Sequence, residues 1–190
     1  MEIIYIVIGV IVLVLLWVAF AYNRFVSLIN RAKEAWSDID VQLKRRYDLI
    51  PNLVSTVKGY ATHESSAFEK VTTARAAAMG AGASPAAKGQ AENMLTGALK
   101  SLFAVAEAYP DLKANQSALQ LQEEIVSTEN KLAYAKQAFN DSIERYNATK
   151  KSFFQSMVVS AFRSKLDFDF PYWQLTDDQV KTQENYTVKL

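Results

Sequence analysis

The chain has 190 residues, of which 50% are hydrophobic and 22% charged, and its 21 basic and 20 acidic side chains leave a formal net charge of +1. This is enough apolar material for one globular core and one further hydrophobic element, while the near balance of charge argues against a nucleic-acid partner. The absence of cysteine excludes disulfides, thiolate metal ligands, thiol nucleophiles and lipid attachment through cysteine.

An uncharged apolar run extends from Ile3 to Tyr22. A helix of about 20 residues spans roughly 30 Å, the thickness of a bilayer core, so the run predicts a single membrane-spanning helix. A cleaved signal peptide is the alternative, because residues 19–21 offer a small-residue cleavage site. The run is longer than the apolar part of most signal peptides and no basic residue precedes it, which favours the membrane anchor.

The next segment carries an apolar residue at every third or fourth position, the spacing of one face of a long helix. A proline removes a helical hydrogen bond, so we predict that this helix bends or restarts at Pro51 and then runs to about Met79. Arg45, Arg46, Lys58 and His63 are expected to face solvent or a partner. The stripe comprises Phe25, Ile29, Ala32, Trp36, Ile39, Leu43 and Ile50, followed by Val54, Val57, Ala61, Glu64, Phe68 and Val71.

The remaining sequence predicts more helices. The glycine-rich residues 80–90 form a turn, residues 91–109 a third helix that Pro110 ends, and residues 112–151 a long helix against which Trp36 should pack. Helices joined by short turns form antiparallel bundles. The predicted fold class is all-α, with one N-terminal transmembrane helix followed by an antiparallel helical bundle of about four long helices. The predicted boundaries are 1–24 for the anchor, 25–152 for the bundle and 153–190 for an aromatic-rich C-terminal tail.

The tail differs from the bundle in composition. FFQSMVVSAF, residues 153–162, is apolar but too short to cross a bilayer, and LDFDFPYWQL, residues 166–175, alternates acidic with aromatic residues. We predict a short extended piece that docks onto the end of its own bundle. Contact with the membrane surface or with a partner is the alternative.

Few residues offer catalytic chemistry. His63 is the one histidine of the chain and is followed by Glu64, but the second histidine of a helical zinc site is missing. No Gly-x-Ser-x-Gly motif is present. We therefore predict no catalytic, metal-binding or cofactor-binding residue, and keep a hydrolase that uses His63 and Glu64 as an alternative. Glu64 and Asn130 lie on or near the apolar stripes, where we expect hydrogen bonds between helices.

Two motifs resemble the LemA family of bacterial membrane-anchored helical proteins. The run RAKEAWSDIDVQLKRRYDLIPNLVSTVKGYATHE contains the family's arginine and its DLIPNLV signature. ENKLAYAKQAFNDSIERYN, residues 129–147, matches the second motif. A departure is Phe154-Gln155-Ser156, where the family commonly has proline. The matching residues are Arg45, Asp48, Leu49, Ile50, Pro51, Asn52, Leu53, Val54, Val57, Lys58, Tyr60, His63 and Glu64, then Glu129, Asn130, Gln137, Asn140 and Asp141.

The resemblance implies a non-enzymatic scaffold or adaptor of the bacterial cell envelope that acts through protein–protein interaction, without a cofactor. Its expected partners are the membrane, crossed once, and other proteins, with a membrane metallopeptidase as one candidate and a homo-oligomer left open. An oligomer that remodels membranes is an alternative function. The candidate interaction residues are Arg45, Asp48, Pro51, Asn52, Lys58, Tyr60, His63, Glu64, Asn130 and Asn140.

The charge distribution around the apolar run predicts orientation. Only Glu2 precedes the run, whereas Arg24, Arg31 and Lys33 follow it closely. An excess of lysine and arginine near a membrane helix marks the cytoplasmic side. We expect an inner-membrane protein with its N-terminus outside and its bundle in the cytoplasm.

Overall fold

The structure is a computed structural model that describes residues 1–61, 63–82 and 84–173. Every regular element in these ranges is a helix, which confirms the predicted all-α class. The helices are α1 (Glu2–Lys58), α2 (Ser65–Gly80), α3 (Pro85–Ala108), α4 (Pro110–Lys113), α5 (Gln116–Lys151), α6 (Phe153–Ala161) and α7 (Arg163–Leu166).

The N-terminal part of α1 is the predicted apolar segment. It is long and apolar enough to cross a membrane, and the side chains of its most apolar stretch are not buried in the protein. Ile3, for example, is 76% exposed. Such exposure of isoleucine, valine and leucine along the whole apolar stretch suits lipid as the surrounding medium.

Of the two predicted alternatives at Pro51, a bend or a restart, the restart is wrong, and so is the helix that continues to about Met79. Helix α1 passes through Pro51 and ends at Lys58, and α2 begins at Ser65 after a turn. Proline lacks the N–H that would bind the carbonyl four residues earlier, which here is that of Tyr47. Arg75 of α2 fills this vacancy, since its Nε donates a 2.8 Å hydrogen bond to the Tyr47 carbonyl oxygen. The proline is tolerated because its ring faces solvent and the freed carbonyl has a donor.

The boundaries of the third and fourth predicted helices also shift. Helix α3 begins at Pro85, six residues before the expected start, so the connector is shorter than residues 80–90. Proline suits the first turn of a helix, where its missing N–H would have no partner. The long helix α5 begins at Gln116, and Asn115 caps it by accepting a 3.1 Å hydrogen bond from the Ala118 N–H.

The described residues fall into two compact units, and α1 and α5 contribute to both. Unit 1 comprises Met1–Asp38 and Ala135–Phe170. Its core is an apolar cluster on which Phe168 and Phe170 of the tail pack, and Trp36 packs on Phe139 of α5 with ring centroids 5.2 Å apart. The core contains Ala21, Phe25, Ile29, Tyr146, Val158, Val159 and Leu166.

Tyr146 binds the backbone of the C-terminal tail in unit 1. Its hydroxyl donates a 2.5 Å hydrogen bond to the Leu166 carbonyl oxygen and accepts a 2.8 Å bond from the Phe168 N–H. Residues 167–173 are neither helix nor strand. The prediction that the aromatic segment docks onto its own bundle is thus confirmed as far as Phe170, while residues 174 and 175 lie outside the described residues.

Unit 2 comprises Ile39–Tyr134 together with the described residues 171–173. Helices α1, α2, α3 and α5 each supply apolar side chains at three- and four-residue spacing to its interior. The fully buried ones include Ile39, Leu43, Ile50, Leu53, Val71, Leu95, Leu99, Leu102, Ile125 and Leu132. Two buried charged side chains of opposite sign, Arg46 and Glu92, lie among these residues.

Candidate functional site

Arg45 and Arg46 occupy opposite environments. A helix turns by about 100° per residue, so neighbours point in different directions. Arg46 follows Leu43 by three residues and precedes Ile50 by four, which places it on the buried face, and it is 0% exposed. The prediction that Arg46 faces solvent or a partner is therefore wrong.

Three groups from two other helices neutralise or bind Arg46. Its Nη1 lies 3.0 Å from Oε2 of Glu92, and its Nη2 lies 2.7 Å from Oγ1 of Thr96 and 2.9 Å from Oε2 of Glu129. Thr96 in turn donates to Glu129 Oε1 at 3.3 Å. A guanidinium can serve several acceptors at once, whereas a buried charge without partners would be very costly. Arg46 thus joins α1 to α3 and α5.

Tyr47 completes this arrangement, which we call the ionic cluster: Arg46, Tyr47, Glu92, Thr96 and Glu129. The Tyr47 hydroxyl donates to Glu92 Oε1, so both oxygens of the buried Glu92 carboxylate have a donor. Burial raises the pKa of Tyr47 far above its usual value, and the bond to Glu92 raises it further. The phenol therefore stays protonated and keeps donating at any pH near neutrality.

The exposed side of the same helix turns forms a second arrangement, the signature face, made of Val41, Lys44, Arg45, Asp48, Leu49 and Asn52. Arg45 pairs with Glu124 of α5 at 2.6 Å, and Lys44 pairs with Asp48 at 2.6 Å. These residues line a groove of about 450 Å³. Val41 is 61% exposed and lies among the charges. The face thus offers charges of both signs and apolar contact to a partner.

The other predicted signature residues lie outside this face. Lys58 ends α1, and Tyr60 accepts a 2.8 Å hydrogen bond from Asn115 Nδ2. His63 is exposed in the turn, whereas Glu64 is half-buried at the start of α2, where its side chain makes no capping hydrogen bond. The turn is therefore tied to the start of α5 by Tyr60.

The second motif divides between the units. Asn130 is exposed on α5 in a groove beside Val126 and Tyr134, and the expected hydrogen bond from Asn130 to another helix is not formed in the described residues. Its neighbour Glu129 makes the bonds to the other helices. Asn140 is half-buried in unit 1 and is not part of the face that holds Asp48 and Asn52.

The described residues offer little support for the hydrolase alternative. His63 and Glu64 precede Ser65 and Ser66, which are exposed on the first turn of α2. A catalytic triad would require a serine, a histidine and an acid linked in series by hydrogen bonds. Nothing in the described ranges brings three or more histidine, aspartate or glutamate side chains into a metal-binding group.

Comparison with known proteins confirms the resemblance seen in the sequence. The sequence model of the LemA family matches residues 35–189, most of the chain. The magnetosome protein MamQ of Magnetospirillum gryphiswaldense is 26% identical over 151 residues. That alignment covers 66% of this chain and 56% of the relative, so the chain spans about half the length of MamQ.

Proposed function

The chain belongs to the LemA family, and from this premise we propose that it is a non-enzymatic, membrane-anchored helical scaffold that binds proteins through the signature face. One observation carries the proposal. The polar residues of 44–52 divide into a buried set that connects helices and an exposed set that is available to a partner.

The buried set argues for a structural framework. Arg46 and Glu92 are 1% exposed in their side chains, so a small-molecule substrate has no access to the strongest charges of unit 2. A buried ion pair is weak evidence for added stability, and in some proteins buried polar groups fix the register of helices instead. We infer that the ionic cluster holds α1, α3 and α5 in one arrangement and so keeps the signature face in a constant geometry.

The exposed set suits a protein partner. Charged groups around an apolar contact give an interface specificity and a fast association rate, and exposed salt bridges can be exchanged for bonds to a partner at little cost. A membrane metallopeptidase and a second copy of the chain are both candidate occupants. We place the protein in the bacterial inner membrane with the N-terminus outside and the bundle in the cytoplasm, because Arg24, Arg31 and Lys33 follow the apolar segment.

Site-specific crosslinking tests the face. A photoreactive amino acid at Asn52 of the full chain should crosslink the same protein in repeated experiments, whereas the same group at the exposed Lys100 of α3 should not. The matched variant is the exchange of Lys44→Asp with Asp48→Lys, which keeps the net charge and a salt bridge one turn apart. Crosslinking at Asn52 that survives this exchange unchanged would contradict a role for the signature face.

A single cysteine tests the orientation. The natural chain has none, so Ser84→Cys introduces one reactive thiol in an exposed turn. A membrane-impermeant maleimide should label it only after the cells are lysed. Labelling of intact spheroplasts would show that the bundle faces outward.

A further inference from the structure

Within unit 1, the residues packed beside the end of the apolar segment include large apolar side chains that are exposed on the protein surface. Helix α6 and Phe162, the residue that follows it, lie along the last turns of this segment. The rings of Phe154 and Trp17 are 6.1 Å apart, and those of Phe162 and Tyr22 are 5.2 Å apart. Phe153, Phe154 and Met157 are 76%, 63% and 61% exposed. Because Trp17 belongs to the uncharged run, a bilayer that accepts this run also reaches α6.

A basic groove lies between α1 and α5 just beyond the apolar segment. It has a volume of about 480 Å³ and is lined by Arg24, Arg31 and Arg145 together with the hydroxyl groups of Ser27 and Thr149. No carboxylate lines it. Within the ranges that the structure describes, none of the three guanidinium groups forms an ion pair or a side-chain hydrogen bond.

The spacing of these arginines along α1 and α5 explains why they line the same groove. Ser27 and Arg31 follow Arg24 by three and seven residues, so the three side chains share one face of α1. The Phe25 and Tyr146 rings, 6.2 Å apart, bring α1 and α5 together next to Arg24 and Arg145. Arg24 lies two residues after Tyr22, about 3 Å further along the helix axis, which is headgroup depth. Side chains on α1 also lean toward its N-terminus and therefore toward the membrane.

We propose that this arginine groove is a binding site for the phosphate headgroup of an anionic phospholipid in the leaflet that contacts α6. Three unpaired guanidinium groups line one groove, which begins at headgroup depth with Arg24 and extends about 10 Å further along α1 to Arg31. Such a groove matches a phosphodiester, which accepts bidentate hydrogen bonds from arginine. The inference rests on the proposed membrane anchoring. It goes further in assigning lipid selectivity to one groove.

Spin-labelled lipids measure this selectivity directly. The full chain is reconstituted into phosphatidylcholine vesicles, and the relative association of spin-labelled phosphatidylglycerol and phosphatidylcholine is obtained by electron paramagnetic resonance. Each arginine near a bilayer surface contributes about 1 kcal/mol, so the wild-type chain should prefer phosphatidylglycerol by at least about 5-fold. The combined Arg24→Gln, Arg31→Gln and Arg145→Gln variant should have a preference near 1.

Two further variants distinguish a lipid preference that depends on the groove from one that depends only on the positive charge of the protein. The control removes three exposed lysines of unit 2, Lys58→Gln, Lys70→Gln and Lys100→Gln, and should keep the wild-type preference. Replacement of the three arginines by lysine should retain part of it, because the charge remains while the bidentate geometry is lost. An equal loss in the lysine control, or no loss in the arginine variant, would overturn the proposal.

The remaining outcomes distinguish the ligand and the anchoring. In phosphatidylcholine vesicles, inorganic phosphate should bind the wild-type chain no more tightly than the arginine variant. Arginine-dependent phosphate binding by a chain that shows no phosphatidylglycerol preference would assign the groove to free phosphate and reject the lipid. Failure of the wild-type chain to remain in vesicles after alkaline carbonate extraction would reject the membrane anchoring as well. Retention without lipid preference would reject this inference alone.

Discussion

The interior of unit 1 and the interior of unit 2 are stabilised by different kinds of interaction. In unit 1 the fixed point is an aromatic cluster, and Tyr146 binds the returning tail through backbone groups of Leu166 and Phe168. In unit 2 the fixed point is the pair of Arg46 and Glu92, whose side chains are 1% exposed and depend on each other. Backbone bonds and aromatic packing tolerate a change of neighbour, whereas a buried charge does not tolerate the loss of its partner.

The largest effect is expected in the ionic cluster. Arg46→Ala leaves the carboxylate of Glu92 buried without its counter-charge and should lower the free energy of unfolding by about 3–5 kcal/mol. Arg45→Ala is the matched control, because it removes the adjacent arginine but breaks only an exposed pair, worth about 0–1 kcal/mol. Denaturant unfolding in detergent, followed by far-ultraviolet circular dichroism, measures both. Similar losses for the two variants would mean that the cluster does not hold unit 2.

A paired substitution sharpens this test. Arg46→Met combined with Glu92→Leu removes both buried charges and replaces them with apolar groups of similar length. It should recover part of the stability lost in Arg46→Ala, since the cost lies in the unpaired charge more than in the missing bond. A double variant less stable than Arg46→Ala would assign the main role to Tyr47, Thr96 and Glu129 instead.

A smaller effect is expected at the tail of unit 1. Tyr146→Phe keeps the ring in the aromatic cluster but leaves the Leu166 carbonyl and the Phe168 N–H without their partner, at a cost of about 1–3 kcal/mol. Amide hydrogen exchange of residues 167–170 should accelerate while that of α3 stays the same. Tyr134→Phe serves as the control, because Tyr134 is 73% exposed. Equal exchange in both variants would remove Tyr146 from the docking of the tail.

The bond between Arg75 and the Tyr47 carbonyl predicts a coupling with Pro51. Arg75→Ala should cost about 1 kcal/mol in the natural chain, because the carbonyl then has no donor. In a Pro51→Ala background the new N–H of residue 51 can bind that carbonyl, so the same substitution should cost much less. A double-mutant cycle measures the coupling. Additive effects would show that Arg75 acts elsewhere.

The smallest effect concerns pH. The hydrogen bond from Lys150 lowers the pKa of Asp167 below its ordinary value of 3.8. A lowered carboxyl pKa favours the folded state above the unfolded pKa, and this contribution disappears as the pH falls through the folded value. The docking of residues 167–170, followed by hydrogen exchange corrected for its intrinsic pH dependence, should therefore hold from pH 5 to neutrality and weaken below about pH 4. Asp167→Asn should abolish this change.

Periodicity predicted the elements and much of the core. Phe25, Ile29 and Ile39 are buried as their three- and four-residue spacing requires. The same spacing includes position 46, between Leu43 and Ile50, and position 92, three residues before Leu95. It marks these positions as buried but cannot show that two charges 46 residues apart meet. An arginine is ordinarily exposed, and only the bond to Glu92 from another helix makes the burial of Arg46 possible.

The break between α1 and α2 was missed for a related reason. The apolar register continues through the turn, since Val57 and Ala61 are both buried on either side of Gly59. A proline was the stronger local signal for interruption, and the donor that makes it harmless, Arg75, comes from another helix. Position in the sequence could not reveal this bond, which depends on how α2 packs.

Arg46 and Glu92 are 46 residues apart in the sequence, so the ribosome makes the arginine well before its partner. Translation proceeds at about 5–20 residues per second, so the carboxylate that neutralises Arg46 emerges roughly 2–9 s after it. During this interval the apolar stripe of α1 has been made but the helices that cover it have not. A nascent chain already held by its apolar segment would wait at the bilayer with a charged residue inside an unfinished core. We expect ribosome profiling to show factors that shield hydrophobic segments engaging this chain before residue 92 is exposed.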